Sequence, residues 1–127
     1  MIVGMGTEQT FENLLVWQKA MNLVVDIYSL CRQGELAKDW GLRDQLQRAT
    51  VSIPANIAEG YERSSRKEYI QFLSIAKGSA GELRCLIQIV MRLNLVNSER
   101  LKNLMERTIE VSRMLKGVIN SLREEKP

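Results

Sequence analysis

The chain of 127 residues contains no histidine. That absence removes the commonest general base and the commonest neutral metal ligand, so Ser-His-Asp and Cys-His catalytic arrangements are impossible, as are the Glu-x-x-His ligand sets of di-iron bundles. There are only two cysteines, Cys31 and Cys85, without CxxC spacing. They are expected to be small core residues, neither metal ligands nor a disulfide. Two prolines and few aromatics argue against a sandwich or barrel of many short strands. No stretch approaches the roughly 20 apolar residues of a membrane span, and Met1 to Gly6 has neither the basic residues nor the apolar run of a signal peptide. A cytoplasmic location is expected. Gly78 and Gly81 lack the lysine spacing of a phosphate loop. No catalytic, metal or cofactor site is therefore expected, and the chain reads as a binding protein, not an enzyme.

What is present is helical periodicity. From Phe11 to Arg32, apolar residues recur as Leu14, Trp17, Met21, Val24, Tyr28 and Cys31, with Thr10 as a candidate cap and Gly34 where the helix should stop. A second helix follows Asp39 and carries Leu42, Leu46, Ala49, Ile53 and Ile57 on one face. Ser65 followed by Glu68 has the form of a capping box and opens a third helix, whose inner face reads Tyr69, Leu73, Ala76, Ala80, Leu83, Ile87 and Val90. The fourth begins near Asn97 or Ser98 and repeats Leu101, Leu104, Thr108, Val111, Leu115, Val118 and Leu122. The expected fold is all-α: a flexible leader over residues 1–10, then an up-and-down antiparallel four-helix bundle over 11–123, with helices at about 11–32, 40–63, 65–94 and 98–123. Glu124 to Pro127 should fray.

Helix one carries a second apolar stripe beside the first: Val16, Ala20, Leu23, Ile27 and Leu30. Helix three shows the same excess at Ile75, Leu86, Ile89 and Leu93. Because a monomer seldom leaves large contiguous apolar patches in water, Val16, Leu23, Ile27, Leu30, Ile75, Leu86 and Ile89 are expected to form contacts between copies; the competing reading is that a small bundle simply has wide buried faces.

The segment Ser52-Ile-Pro-Ala-Asn-Ile-Ala-Glu-Gly60 sets a proline inside a helical pattern. Pro54 cannot donate to the Thr50 carbonyl, so a bend is expected, with Ser52, Asn56 and Glu59 in a local hydrogen-bond network. A ligand site at these residues is the competing reading. Helix three carries Ser74, Gly78, Ser79, Ala80 and Gly81, and each helical glycine costs about 1 kcal/mol of propensity. Close approach of a neighbouring helix is the expected reason, with Glu82 reaching across to the polar part of helix two.

The net charge is +3. Basic residues gather at Arg43 and Arg48, at Arg63, Arg66 and Lys67, and at Lys77, Arg84 and Arg92, diluted by Asp44, Glu59, Glu62, Glu68 and Glu82. Either a solvated surface or a phosphate-binding patch fits this pattern, and repetition of a modest patch around an oligomer would strengthen its field. Tyr61 is the one aromatic near the second connection placed to stack on a base.

Three segments carry a resemblance: Phe11-Glu-Asn-Leu-Leu-Val-Trp-Gln-Lys-Ala, Leu46-Gln-Arg-Ala-Thr-Val-Ser-Ile-Pro-Ala-Asn-Ile-Ala-Glu-Gly, and Ala76-Lys-Gly-Ser-Ala-Gly-Glu-Leu. From about Phe11 to Leu122 the chain resembles the bacterial four-helix-bundle proteins encoded in intervening sequences of 23S ribosomal RNA genes. Ala80, where such proteins often have a larger aliphatic, and the glycine-rich leader depart from the pattern. Ser52, Pro54, Asn56, Glu59, Gly60, Gly78, Ser79 and Glu82 belong to the shared motifs. These proteins are similar to accessory variability proteins of diversity-generating retroelements. That similarity implies a ring or barrel oligomer, a homopentamer, partnering RNA or a ribonucleoprotein, and on the retroelement branch a reverse transcriptase. The expected function is thus a non-enzymatic RNA-binding accessory protein; the alternative is a protein-interaction scaffold with no direct nucleic-acid contact.

Overall fold

The computed structural model describes residues 9–124, and among these no strand occurs. The four helices are α1 (Leu15–Leu30), α2 (Trp40–Tyr61), α3 (Arg66–Arg92) and α4 (Ser98–Glu124). Each packs on the helix before and after it, and α4 closes the circuit on α1, which makes an up-and-down bundle. Most of the expected leader, and the tail beyond Glu124, lie outside the described residues.

Local chemistry explains the helix ends. The Asp39 carboxylate accepts from the Leu42 amide (3.1 Å) at the start of α2. At the start of α3 the Ser65 hydroxyl accepts from the Glu68 amide (3.1 Å) and donates to the Glu68 carboxylate (3.1 Å). Thr10 caps a short 3-10 turn, Phe11–Asn13, and α1 proper begins only at Leu15. The other end of α3 is closed by Asn94, whose φ of 53° lets its amide reach the Met91 carbonyl and that of Leu95 the Val90 carbonyl. A second 3-10 turn, Gly34–Lys38, fills the α1–α2 connection. Gly34 has φ +54°, and a Cβ there would stand 2.5 Å from the Leu95 carbonyl oxygen. Glycine is thus required on two counts.

The core inherits the expected faces of α2, α3 and α4, from Leu46, Ile53 and Ile57 through Leu73, Leu83 and Ile87 to Leu101, Leu104 and Leu115. The face of α1 is the reverse of the expected one. Val16, Ala20, Leu23, Ile27 and Leu30 are buried in the bundle, so Val16, Leu23, Ile27 and Leu30 are core residues and not contacts between copies; Leu86 is buried likewise. The physical reason lies in side-chain shape: the inner stripe is branched aliphatic or small and fills a dry interior, whereas Met21 and Tyr28 on the other stripe tolerate water. Leu14 and Trp17 pack at the core edge, and Cys31 is buried. Cys85, expected inside, is exposed.

Ion pairs fasten α1 to α4. Arg107 meets Asp26 at 2.7 Å, Arg100 donates to the Asp26 carbonyl, and Lys19 meets Glu110 at 3.3 Å.

Candidate nucleic-acid interface

The polar segment around Pro54 is the first candidate. α2 continues through Pro54 to Tyr61, and the proline is buried. Asn56 donates to the Ser52 carbonyl (2.8 Å) and to the Ser52 hydroxyl (2.9 Å), and the Ser52 hydroxyl bonds to that of Ser79 on α3 (2.8 Å). This is the expected local network, but its membership differs. Ser79 makes the cross-helix bond in place of exposed Glu82, and Glu59 pairs with Arg63 (2.8 Å) instead. The Asn56 amide donates to Ser52 and not to the Thr50 carbonyl that Pro54 leaves without its donor.

Close helix approach occurs at Gly60, where a Cβ would lie 2.7 Å from Phe72 Cβ and 3.1 Å from Tyr69 Cδ1. At Gly78 and Gly81, where it was expected, a Cβ would meet nothing within 4 Å. These two glycines face outward, and the small residues that receive a neighbouring helix are the buried Ala76 and Ala80.

The basic residues fall into three sets. Arg43 and Arg63 are engaged within the molecule: Arg43 donates to the Ala37 carbonyl (2.8 Å) with its guanidinium 4.8 Å from the Trp40 ring centre, and Arg63 meets Glu59, Glu68 (3.5 Å) and the face of Phe72 (4.8 Å). Arg48 edges a hollow of about 470 Å³ with Tyr28, Val51 and Asp44, and exposed Arg66 and Lys67 stand at the start of α3. Tyr61 forms a T-shaped pair with Tyr69, ring centres 5.9 Å apart, and is half-buried.

The third set shares one seam. Lys77, Arg84 and Arg92 recur at seven- and eight-residue steps, about two helical turns, which keeps them on one side of α3, and each lines a hollow shared with α4. There they border two hollows set end to end. One, about 360 Å³, is lined by Arg84, Gln88, Met91 and Arg92 opposite Met105 and Ile109; the other, about 560 Å³, by Ser74, Lys77, Gly78 and Gly81 opposite Lys116, Ile119, Asn120 and Arg123. No carboxylate lines either hollow. Lys116 and Arg123 therefore join the site, although sequence reasoning passed over them. Their seven-residue spacing, which puts both on one side of α4, is the only trace of this in the sequence.

Elsewhere on the surface, Ile75 and Ile89 are exposed, the only members of the expected self-contact set that face outward. Met21, Val25 and Tyr28 on α1 and Val51 on α2 are exposed as well, and Trp40 is 76% exposed. Burial pushes the Cys31 thiol above its ordinary range, a rise partly offset by Arg43 and Arg32 and by a hydrogen bond from Gln47. Tyr69 is pushed up by burial and by its neighbour Tyr61. Among the described residues, no group of three potential metal ligands converges, and no helix is long and apolar enough to cross a membrane.

The four packed helices place the chain in the class of small all-helical bundle proteins. Within it, the chain belongs to the 23S rRNA-intervening sequence protein family, whose model matches residues 12–117. Its fold is similar to a crystal structure from Bacteroides thetaiotaomicron, described as a protein with unknown function from the S23 ribosomal protein family, with 25% identity and a TM-score of 0.76 over 83% of this chain and 98% of that one. No curated protein matches the chain.

Proposed function

We propose that this chain is a non-enzymatic RNA-binding accessory protein that works as an oligomer. The carrying observation is the α3–α4 seam, where Arg84 and Arg92 line one hollow and Lys77, Lys116 and Arg123 the next, with no acidic residue in either lining. Cations that are not neutralised by neighbouring carboxylates attract phosphates and release condensed counterions on contact, which makes affinity fall steeply with salt. The family's association with 23S ribosomal RNA genes supports RNA as the polyanion. Within the family, a retroelement accessory that partners a reverse transcriptase is the more specialised form of this reading, and a homopentamer its assembly. Self-association draws support from the exposed apolar strip of Met21, Val25, Tyr28 and Val51, not from the stripe that forms the core.

Titration of labelled RNA with the full chain over a range of salt tests this. Binding at low salt that weakens steeply as salt rises is expected. Absence of binding at low salt would favour the second reading, a protein-interaction scaffold. That reading rests on the same apolar strip together with exposed Trp40, a residue type enriched at the centres of protein interfaces.

A further inference from the structure

Three features of the α3–α4 seam bear on which form of RNA it fits. The first is its length. From Ser74 to Arg92, α3 offers about 27 Å of continuous edge, at 1.5 Å per residue. The second is its two-sidedness. Cations stand on both banks: along α3, Lys77, Arg84 and Arg92 at intervals of about 10–12 Å, and along α4, Lys116 and Arg123 about 10 Å apart. The banks face one another in the hollow shared by Lys77, Lys116 and Arg123, whereas Arg84 and Arg92 look across to Met105 and Ile109. Packed helices lie roughly 8–10 Å axis to axis, so Lys77 and the α4 pair across from it are close enough to meet two phosphate chains at once, with Arg84 and Arg92 extending the α3 row. Within the described residues, none of these five cations is tied to a carboxylate.

The third feature is what the seam does not contain. No aromatic side chain lines it. Trp17, Tyr28 and Trp40 belong to α1 and α2, and Tyr61, Tyr69 and Phe72 cluster where α2 meets α3. Single strands are gripped chiefly by stacking unpaired bases on aromatic rings, and such a platform is missing here. On the α3 side of the Lys77 hollow the lining is instead short, with Ser74 and with Gly78 and Gly81, beyond whose Cα atoms lies open space, while Gln88, Met91, Met105 and Ile109 line the Arg84 hollow. A flat floor between two charged banks suits a ridge of backbone better than splayed bases.

From this arrangement we infer that the seam is a cradle for double-helical RNA, which it holds by the two phosphate chains that flank the narrow major groove of the A-form helix. The major groove of A-form RNA is deep and narrow and brings the two chains near one another, whereas that of B-form DNA is about 12 Å wide. Lys77 on one side and Lys116 and Arg123 on the other side of a single helix–helix seam match the narrower spacing. The contact is with backbone and shape, so sequence preference is weak. The inference rests on the RNA-binding reading above and specifies its substrate.

The test is fluorescence anisotropy of the full-length chain with three probes of equal length: an RNA duplex, one of its strands alone, and a DNA duplex of the same sequence. The RNA duplex is expected to bind tighter than either other probe by about tenfold, a preference typical of shape recognition and not of charge alone. Lys77→Ala combined with Lys116→Ala is expected to reduce the salt slope by about two, roughly one per lost phosphate contact, with helical content unchanged. Gly81→Leu adds bulk to the floor without altering charge, and is expected to weaken duplex binding at an unchanged slope. If the single strand binds as well as the duplex, the cradle is refuted while RNA binding stands. Equal binding of the DNA duplex overturns the A-form match. A double lysine variant that binds like the parent removes the seam as the site. If no RNA binds even at low salt, the underlying function itself fails.

Discussion

The hydroxyls of Ser52 and Ser79 lie 2.8 Å apart and form a direct side-chain bond between α2 and α3, braced from below by the Asn56 amide. All three side chains are half-buried, so removing one strands its partners in a place water reaches poorly. Ser79→Ala and Asn56→Ala should each cost about 1–2 kcal/mol of stability. Urea unfolding followed by circular dichroism checks this. An unchanged midpoint in both variants would return the segment to the role of a ligand site.

Gly60 sits where α2 and α3 come nearest. A methyl group there meets Phe72 Cβ at 2.7 Å, on a rigid part of the side chain that has no room to give. Gly60→Ala should therefore destabilise the bundle by about 1–3 kcal/mol despite the better helix propensity of alanine. The same substitution at Gly78 meets nothing and should stabilise by up to about 1 kcal/mol. The difference between the two thermal midpoints is the measurement.

The reversed face of α1 separates folding from association. Leu23→Glu buries a charge without a partner and should unfold the chain, because the cost of several kcal/mol is comparable with the whole stability of a small domain. Val25→Glu, on a residue that is 64% exposed, should leave the helical signal intact. If the exposed strip joins copies, Val25→Glu also lowers the mass measured by light scattering.

Thiol chemistry distinguishes the two cysteines. The raised pKa of Cys31 means less thiolate at any given pH, and burial blocks access besides. At pH 8 a maleimide should modify Cys85 promptly and Cys31 only after denaturation, which mass spectrometry of the digested protein resolves.

Helix positions were legible in the sequence because caps and periodicity act locally: Asp39, Ser65 and Asn94 mark ends by bonds to residues at most five positions away. The facing of α1 was not, since two adjacent apolar stripes give the same period and only packing decides between them. Side-chain type held the missing clue, as Leu23 and Ile27 suit a dry core better than Met21 and Tyr28. The seam was half legible. Lys77, Arg84 and Arg92 share a side of α3 by spacing alone, but that Lys116 and Arg123 stand opposite Lys77 depends on how α4 is rotated about its axis. Likewise Arg43 and Arg63 look available in the sequence, and only the fold brings Ala37, Trp40 and Phe72 within reach of them.

The Glu35 amide donates to the Leu95 carbonyl at 3.0 Å, which ties the turn between α1 and α2 to the turn between α3 and α4. These residues stand nearly half the chain apart, so the bond forms only when the two helical hairpins have docked. It makes that amide a reporter for hydrogen exchange. Fraying of any one helix leaves the bond in place, whereas separation of the hairpins exposes it. Its exchange rate therefore measures how often the molecule opens into halves, an event that deuterium labelling can follow at a single site without waiting for the whole chain to unfold.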